Sequence, residues 1–350
     1  MRYFTLRTFL VVVTLLVGYM AKAQQDPYYS HFKFVKQAYN PATVGEKDDY
    51  ICMSLLQHNQ WLGYQDNTWV DRETQQPIQG GTIEKNVAPV TTNFNISGNI
   101  KPEARPYPIA GVGLSVYNDR IGYMKTQAFK GQAAFFLPIQ GNFARLSLGV
   151  ELGFSQFGYV NPNFRFKHPN DPRIPTQNVS ASKFDVGFGA YYKQARLGNK
   201  FDDFYVGASL SHLNGANYNL IIQNTSTPYT LAQHIYVGTG AKMDMGANVL
   251  EPAVLIKYNS KLQIDLNCTV LNNNTWRAGL GYRQWGNTDA FTFLLGYVTG
   301  QTQFGYSFDL TASRVQSVSN NTHEIMISYC FQPKAPPEKG QDYDKTPREL

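Results

Sequence analysis

The chain has 350 residues and a formal net charge of +6, with 43% hydrophobic, 16% charged and 14% aromatic residues. So few charges beside 23 Tyr, 22 Phe and 29 Gly exclude a disordered chain, a coiled coil, collagen and a helical soluble enzyme. Past the first segment, no stretch reaches the roughly 18 consecutive apolar residues of a transmembrane helix, which leaves a large all-β protein.

Met1–Ala23 reads as a secretory signal peptide, with Arg2 and Arg7 at its start, Phe9–Val17 as its apolar core and Ala21-Lys22-Ala23 as the cleavage pattern. Losing Arg2, Arg7 and Lys22 lowers the net charge from +6 to +3, and no basic block follows. No nucleic-acid partner is expected. Gln24–Asp49 comes next and holds Asn40-Pro41-Ala42. Its Tyr28, Tyr29, Phe32, Phe34 and Tyr39 make it too apolar to hang in water, so it reads as a short plug or cap folded into a barrel mouth.

From Tyr50 to Gln332 the pattern has period two. In Lys261–Leu271, Leu262, Ile264, Leu266, Cys268 and Val270 fall on one face, with Gln263, Asp265, Asn267 and Thr269 on the other. A helix would mix these sets; a strand separates them. Fourteen such segments follow one another: 50–58, 91–100, 109–118, 126–137, 143–155, 182–194, 203–213, 233–245, 250–258, 261–271, 275–285, 289–299, 301–311 and 322–332. Most are close to the ~9–11 residues that cross a bilayer at a tilt. One face is rich in Gly, Ser and Asn, and the apolar face ends in Tyr, Trp and Phe, the pattern of a transmembrane antiparallel β-barrel of the outer membrane. The longest gaps, 59–90, 156–181 and 214–232, follow the first, fifth and seventh segments, so they share one end. With both termini in the periplasm, that end faces outside. Pro333–Leu350, proline-rich and almost without apolar residues, reads as a disordered periplasmic tail.

Gly111 and Gly113, Gly187 and Gly189, and Gly279 and Gly281 lie within strands rather than before helices, so they do not read as nucleotide sites. Their spacing places each pair on the lumen face, where it leaves room for contents. Asn118-Asp119-Arg120-Ile121-Gly122 reads as a turn signal, Asp or Asn bonding its own backbone and Gly122 taking a positive φ. Glu251, Lys257, Lys261, Asp265, Arg277, Arg283, Asp309 and Glu324 fall on the polar face of the last six strands. A Lys or Arg facing lipid at mid-depth costs about 2–4 kcal/mol, so these residues read as a lumen network that braces the barrel or grips a plug or client. The six histidines lack metal-ligand spacing, and no GxSxG elbow exists. No catalytic residue, cofactor or metal is expected. Of Cys52, Cys268 and Cys330, the first and last fall near one end on lumen parity, and the shear of the barrel decides whether they meet.

Gln25-Asp26-Pro27 with Tyr28-Tyr29-Ser30-His31, Ala38-Tyr39-Asn40-Pro41-Ala42 and Asn59-Gln60-Trp61 resembles the PorP/SprF family of type IX secretion outer-membrane proteins. The likeness continues through Gly111–Ser115, Asn118–Gly122, Tyr205-Val206-Gly207, Ser211-His212-Leu213, Glu251-Pro252, Gln263–Asn267, Gly305-Tyr306-Ser307 and His323–Met326. The resemblance implies a fourteen-stranded barrel without catalytic residues. It also implies service in secretion, surface attachment of adhesins or gliding, with outer-membrane lipid, secreted clients and periplasmic and outer-membrane secretion components as partners. The alternative reading is a FadL-like transport channel for small or hydrophobic molecules, whose hatch also carries Asn-Pro-Ala.

Overall fold

The computed structural model describes residues 26–66, 84–85, 87–139, 143–160, 175–215, 217–285, 290–312 and 319–333. The expected signal segment Met1–Ala23, most of the expected loop Gln65–Asn86 and most of the expected tail Pro333–Leu350 lie outside them. β1 (Ile51–Asn59) precedes a two-residue pair, β2 (Gln65–Asp66) and β3 (Glu84–Lys85). β4 (Val90–Ile100), β5 (Ala110–Ile121), β6 (Met124–Ile139), β7 (Ala144–Tyr159), β8 (Val179–Leu197) and β9 (Phe201–Ser211) follow. After the hairpin β10 (Asn217–Ile222) and β11 (Thr225–Thr230) come β12 (His234–Asp244), β13 (Asn248–Tyr258) and β14 (Leu262–Asn272). β15 (Trp276–Trp285), β16 (Ala290–Thr299), β17 (Thr302–Thr311) and β18 (Thr322–Phe331) complete the chain.

Fourteen of these strands, all but the two short pairs, close into one antiparallel barrel in which β1 pairs with β18. Closure satisfies every strand edge, the condition for crossing hydrocarbon with strands. Alternation decides which face meets lipid: on β14, Leu266 is 43% exposed while its neighbour Asp265 is 4% exposed. Connections 60–89, 160–178 and 212–233 leave one end, here termed the long-loop end, and connections such as 245–247, 273–275 and 300–301 form the short-turn end. An aromatic pair, Trp276 and Tyr297 with centroids 4.7 Å apart, stands on the outer face near the short turns, as expected of an interfacial girdle.

Three expectations change. The connection 212–233 contains the hairpin β10–β11, whose Tyr218, Leu220 and Ile222 pack against Phe157 of β7 and Val179 of β8. Period two over six residues is too short a signal to separate this excursion from a loop. Lys261 lies in the exposed turn between β13 and β14, not on a strand's polar face, because Leu262 already begins the ladder opposite Tyr258. The first and last described stretches do not share an end. Phe331 is opposite Ile51 at the short turns, whereas Asp26 sits by His212 and His234, where β9 ends and β12 begins at the long loops.

Candidate functional site

Residues 26–49 run through the barrel interior from the long-loop end to the short-turn end and then enter β1. Their apolar side chains face the wall: Tyr29, Phe32, Val35 and Tyr39 are buried against Leu56, Tyr236, Leu255 and Met326. Each such side chain contributes about 1.5–3 kcal/mol when fully buried. The wall residues record this in sequence, because Leu55-Leu56, Val254-Leu255-Ile256, Phe293-Leu294-Leu295 and Ile325-Met326-Ile327 break the alternation. In each run one apolar residue turns inward: Leu56, Leu255, Leu294 and Met326 are at most 5% exposed. An aqueous lumen would give those positions no partner.

Charges hold the segment in tiers. At the long-loop end the Asp26 carboxylate meets His212 Nε2 at 2.9 Å and accepts from Tyr236 Oη at 2.7 Å. His212 Nδ1 lies 2.8 Å from Asp185, whose carboxylate is 3.4 Å from Lys130 Nζ. Lys130 in turn pairs with Glu151 at 2.7 Å. Lys257 donates to the backbone carbonyl of Asp26. Burial opposes charge on both partners. It is outweighed by His212 and His234 at Asp26, whose carboxyl stays well below the usual range, and chiefly by Asp26 at His212, which is lifted to about 9. Asp26, His212 and His234 bring three ligand-type groups within 4.8 Å of one another. Hydrogen bonds already engage the ring nitrogens: His212 faces two carboxylates, and His234 faces Ala232 O on one side and Asp26 N and Asn259 on the other.

One tier down, Glu324 accepts from the backbone N–H groups of Ser30 (2.9 Å) and His31 (2.7 Å). The same carboxylate bridges His31 Nδ1 at 2.7 Å and His58 Nδ1 at 2.8 Å. Arg283 spans Asp265 and Asp309, the latter at 2.7 Å, and its guanidinium lies 4.2 Å from the Tyr28 ring centroid. Ser30 Oγ donates to Asp309, and Asn267 donates to Ser30 O at 2.7 Å. Lower still, Glu251 takes Lys33 at 2.8 Å and Arg277 at 2.9 Å. Glu251, Lys257, Asp265, Arg277, Arg283, Asp309 and Glu324 thus surround the internal segment. Lys130, Glu151, Asp185, His31, His58, His212 and Asp26 belong to the same framework and were hidden by their separation in sequence.

At the short-turn end Glu46 pairs with Lys36 at 2.5 Å and accepts from Tyr191 Oη at 2.6 Å. Burial would raise its carboxyl, but Lys36 and Lys193 prevail and hold it at about 2. Between the charged tiers the segment turns at Pro41–Thr43. Asn40 caps this turn, accepting from Ala42 N at 2.9 Å, while its Nδ2 donates to Ala190 O (3.0 Å) and Ala208 O (3.3 Å). Pro41 supplies a preset φ at the first position. The turn rests in a trough of lumen-facing glycines: a Cβ on Gly149 would strike Ala42, one on Gly189 would strike Asn40, and one on Gly111 would strike Val44.

The remaining motif residues are at the long-loop end. Gln60 N donates to Pro89 O at 2.9 Å, and Trp61, at φ +51°, donates its N–H to Thr322 Oγ1 at 3.1 Å. Asp119 accepts from Thr91 at 2.6 Å, Arg120 Nε donates to Gly122 O at 3.1 Å, Gly122 has φ +59°, and Asn118 pairs with Thr92 and Gln127 in the ladder. Gly122 thus takes the positive φ of the turn, but Asp119 bonds Thr91 on the neighbouring strand rather than its own backbone, so it braces the ladder end instead of the turn.

A closed fourteen-stranded barrel, apolar outside and threaded by its own chain, defines an outer-membrane β-barrel with an occupied lumen. The chain belongs to the PorP/SprF family: the model described as type IX secretion system membrane protein PorP/SprF matches residues 21–329. No curated protein matches the chain in sequence. Among solved structures, the Ralstonia pickettii toluene transporter TbuX is similar at 10% identity over 84% of this chain and 92% of that one, with a TM-score of 0.46. A Pseudomonas aeruginosa FadL homologue is similar at 11% identity over 89% and 96%, with a TM-score of 0.45. Acinetobacter baumannii Omp33 is similar at 9% identity over 82% and 100%, with a TM-score of 0.40.

Proposed function

We propose that this barrel is a non-enzymatic docking component of the type IX system, helping to export secreted proteins or anchor them at the surface, rather than a channel for small molecules. The observation that carries this reading is the filled lumen: residues 26–49 occupy the interior and are tied to the wall by ion pairs of Asp26, His31, Lys33 and Asp48 with His212, Glu324, Glu251 and Arg145. A solute path would have to break several of these pairs at once. Two surfaces then remain for partners. The long-loop end, with the hairpin β10–β11, faces outside; the short-turn end meets periplasmic secretion components, because outer-membrane barrels keep short turns on that side. Residues 26–49 act as a plug in this reading, and the network of Glu251, Arg277, Arg283, Asp309 and Glu324 holds it.

The test is conductance of the purified barrel in a planar bilayer, paired with recovery from native membranes. A silent barrel that co-purifies with secreted proteins or secretion components supports docking. A steady open pore without such partners returns the chain to the transport class.

A further inference from the structure

The short-turn end holds a cavity of about 410 Å³ between the plug and the wall. Six cations line it: Lys33, Lys36, Lys47, Lys193, Lys242 and Arg277. Among the described residues three carboxylates, Glu46, Asp203 and Glu251, accompany them, and all three are already shared. Glu251 serves both Lys33 and Arg277. Glu46 serves Lys36 at 2.5 Å and Lys193 at 3.9 Å. Asp203 serves Lys242 at 2.8 Å and the same Lys193 at 3.8 Å. Beside the cavity, Arg145 and Lys101 pair one for one with Asp48 and Asp49, so they do not offset the excess of three positive charges.

Among the described residues Lys47 has no carboxylate within ion-pair distance; its ammonium lies 3.9 Å from the centroid of the Tyr50 ring. Burial lowers its pKa, and the nearby charges of Lys242 and Lys193 lower it further. Lys36 lies 4.3 Å from the centroid of the Tyr205 ring, which leaves a mouth of cations on aromatic faces. The cations come from the plug and from β8, β12 and β15, and they fall in separate groups, Lys33 and Arg277 about Glu251 and Lys36, Lys193 and Lys242 about Glu46 and Asp203, rather than converging on one point. One compact anion cannot reach them all; an extended chain bearing several carboxylates can.

We infer that this cavity is a docking site for an acidic polypeptide segment that enters from the short-turn end. That the segment belongs to a periplasmic partner rests on the orientation proposed for the barrel; the charge complementarity does not. Such a contact is formed by steering and weakens with salt, because the rim cations are solvated.

The experiment uses the purified full-length barrel in uncharged detergent and a fluorescent peptide of glutamates spaced by Gly-Ser, with a glutamine version as control. Saturable binding of the glutamate peptide at low salt is expected, with little binding of the control. Lys47→Glu breaks no ion pair among the described residues, so folding is not at stake, and it should weaken binding several-fold; with Lys242→Glu added, about tenfold. Equal binding of the two peptides, or unchanged affinity in the charge-reversed proteins, overturns the site. So does displacement by inorganic phosphate at matched charge, which would mean that the cavity reads small anions. An open pore in the bilayer assay would refute the docking role while leaving peptide binding measurable, so the two failures are distinct.

Discussion

Cys52 and Cys330 lie directly opposite each other on β1 and β18, their Cα atoms 4.1 Å apart and their sulfurs joined. The seam that closes the barrel is therefore also a covalent link between positions 278 residues apart in sequence. Under denaturing, non-reducing conditions an alkylating reagent should label Cys268 alone. Reduction, or Cys52→Ser, should leave the barrel assembled, because the β1–β18 ladder persists over nine residue pairs. It should lower the temperature at which the heat-modifiable form dissociates, since in the chain-entropy picture a link across so long a loop is worth up to about 5 kcal/mol. An unchanged midpoint would show that the ladder alone determines seam stability.

The trough beneath the Asn40 turn gives a second test. Valine suits a strand better than glycine, so Gly189→Val should not impair barrel assembly as such. Its side chain would occupy the space of Asn40 and the Pro41 ring. Overpacking of this kind costs about 1–3 kcal/mol, and here the movable part is the plug. The variant should fold to normal levels while trypsin cleaves faster at Lys33 and Lys36 and the bilayer conductance becomes measurable. Loss of the barrel itself would instead show that the plug templates closure.

Most of the barrel was legible because lipid imposes a strict alternation. Strand number, the long-loop end and the inward direction of Asp265, Arg283 and Glu324 all follow from period two. The contents of the lumen were less legible. Asn267 reads as an ordinary polar lumen residue, yet it is buried and bonded to Ser30 O. Asn267→Arg would thus harm the molecule by displacing the plug, whereas Leu266→Arg would harm it by placing a charge in lipid. The paired apolar residues such as Leu55-Leu56 and Ile325-Met326 were the available signal for a filled interior. The groups around Asp26 were hidden because a strand pattern says nothing of which lumen residues a threaded segment will touch.

The Asp26–His212 latch predicts a pH dependence. His212 has φ +59° after β9 and a fully buried ring that points each nitrogen at a carboxylate, so it is held as the cation. Its folded value of about 9 exceeds the ordinary 6.5. Its contribution is therefore complete below about pH 6.5 and lost as pH rises through about 9, up to roughly 3 kcal/mol by linkage. Asp26 has the opposite sign: its contribution is lost only as pH falls through its depressed value. Tryptic cleavage at Lys33, measured against His212→Gln at each pH, should accelerate between pH 7 and 10 in the parent protein and be rapid throughout in the variant. A parent rate that tracks the variant at every pH would remove His212 from the latch.

Glu324 holds the plug through both of its carboxylate oxygens. Its Oε1 accepts from His31 N and stands 2.7 Å from His31 Nδ1, and its Oε2 accepts from Ser30 N and stands 2.8 Å from His58 Nδ1. Each oxygen thus faces one backbone donor, which cannot reverse its polarity, and one imidazole, which can change tautomer. Glu324→Ala leaves all four groups without their acceptor in a site where Glu324 is wholly buried, and breaking a buried charged cluster from one side costs about 3–5 kcal/mol. Glu324→Gln keeps the shape but presents one NH2 in place of an oxygen. Either Ser30 N or His31 N then meets a donor, at a cost nearer 1–3 kcal/mol. Because Glu324 lies one residue from the lipid-facing Ile325 and the strand ladder does not use its side chain, both variants should insert at normal levels. Plug release, read as tryptic cleavage at Lys33 and as bilayer conductance, should follow the order Ala above Gln above parent. Equal release in Gln and Ala would mean that charge alone matters; no release in either would mean that the apolar contacts of Tyr29, Phe32 and Tyr39 suffice to hold the plug.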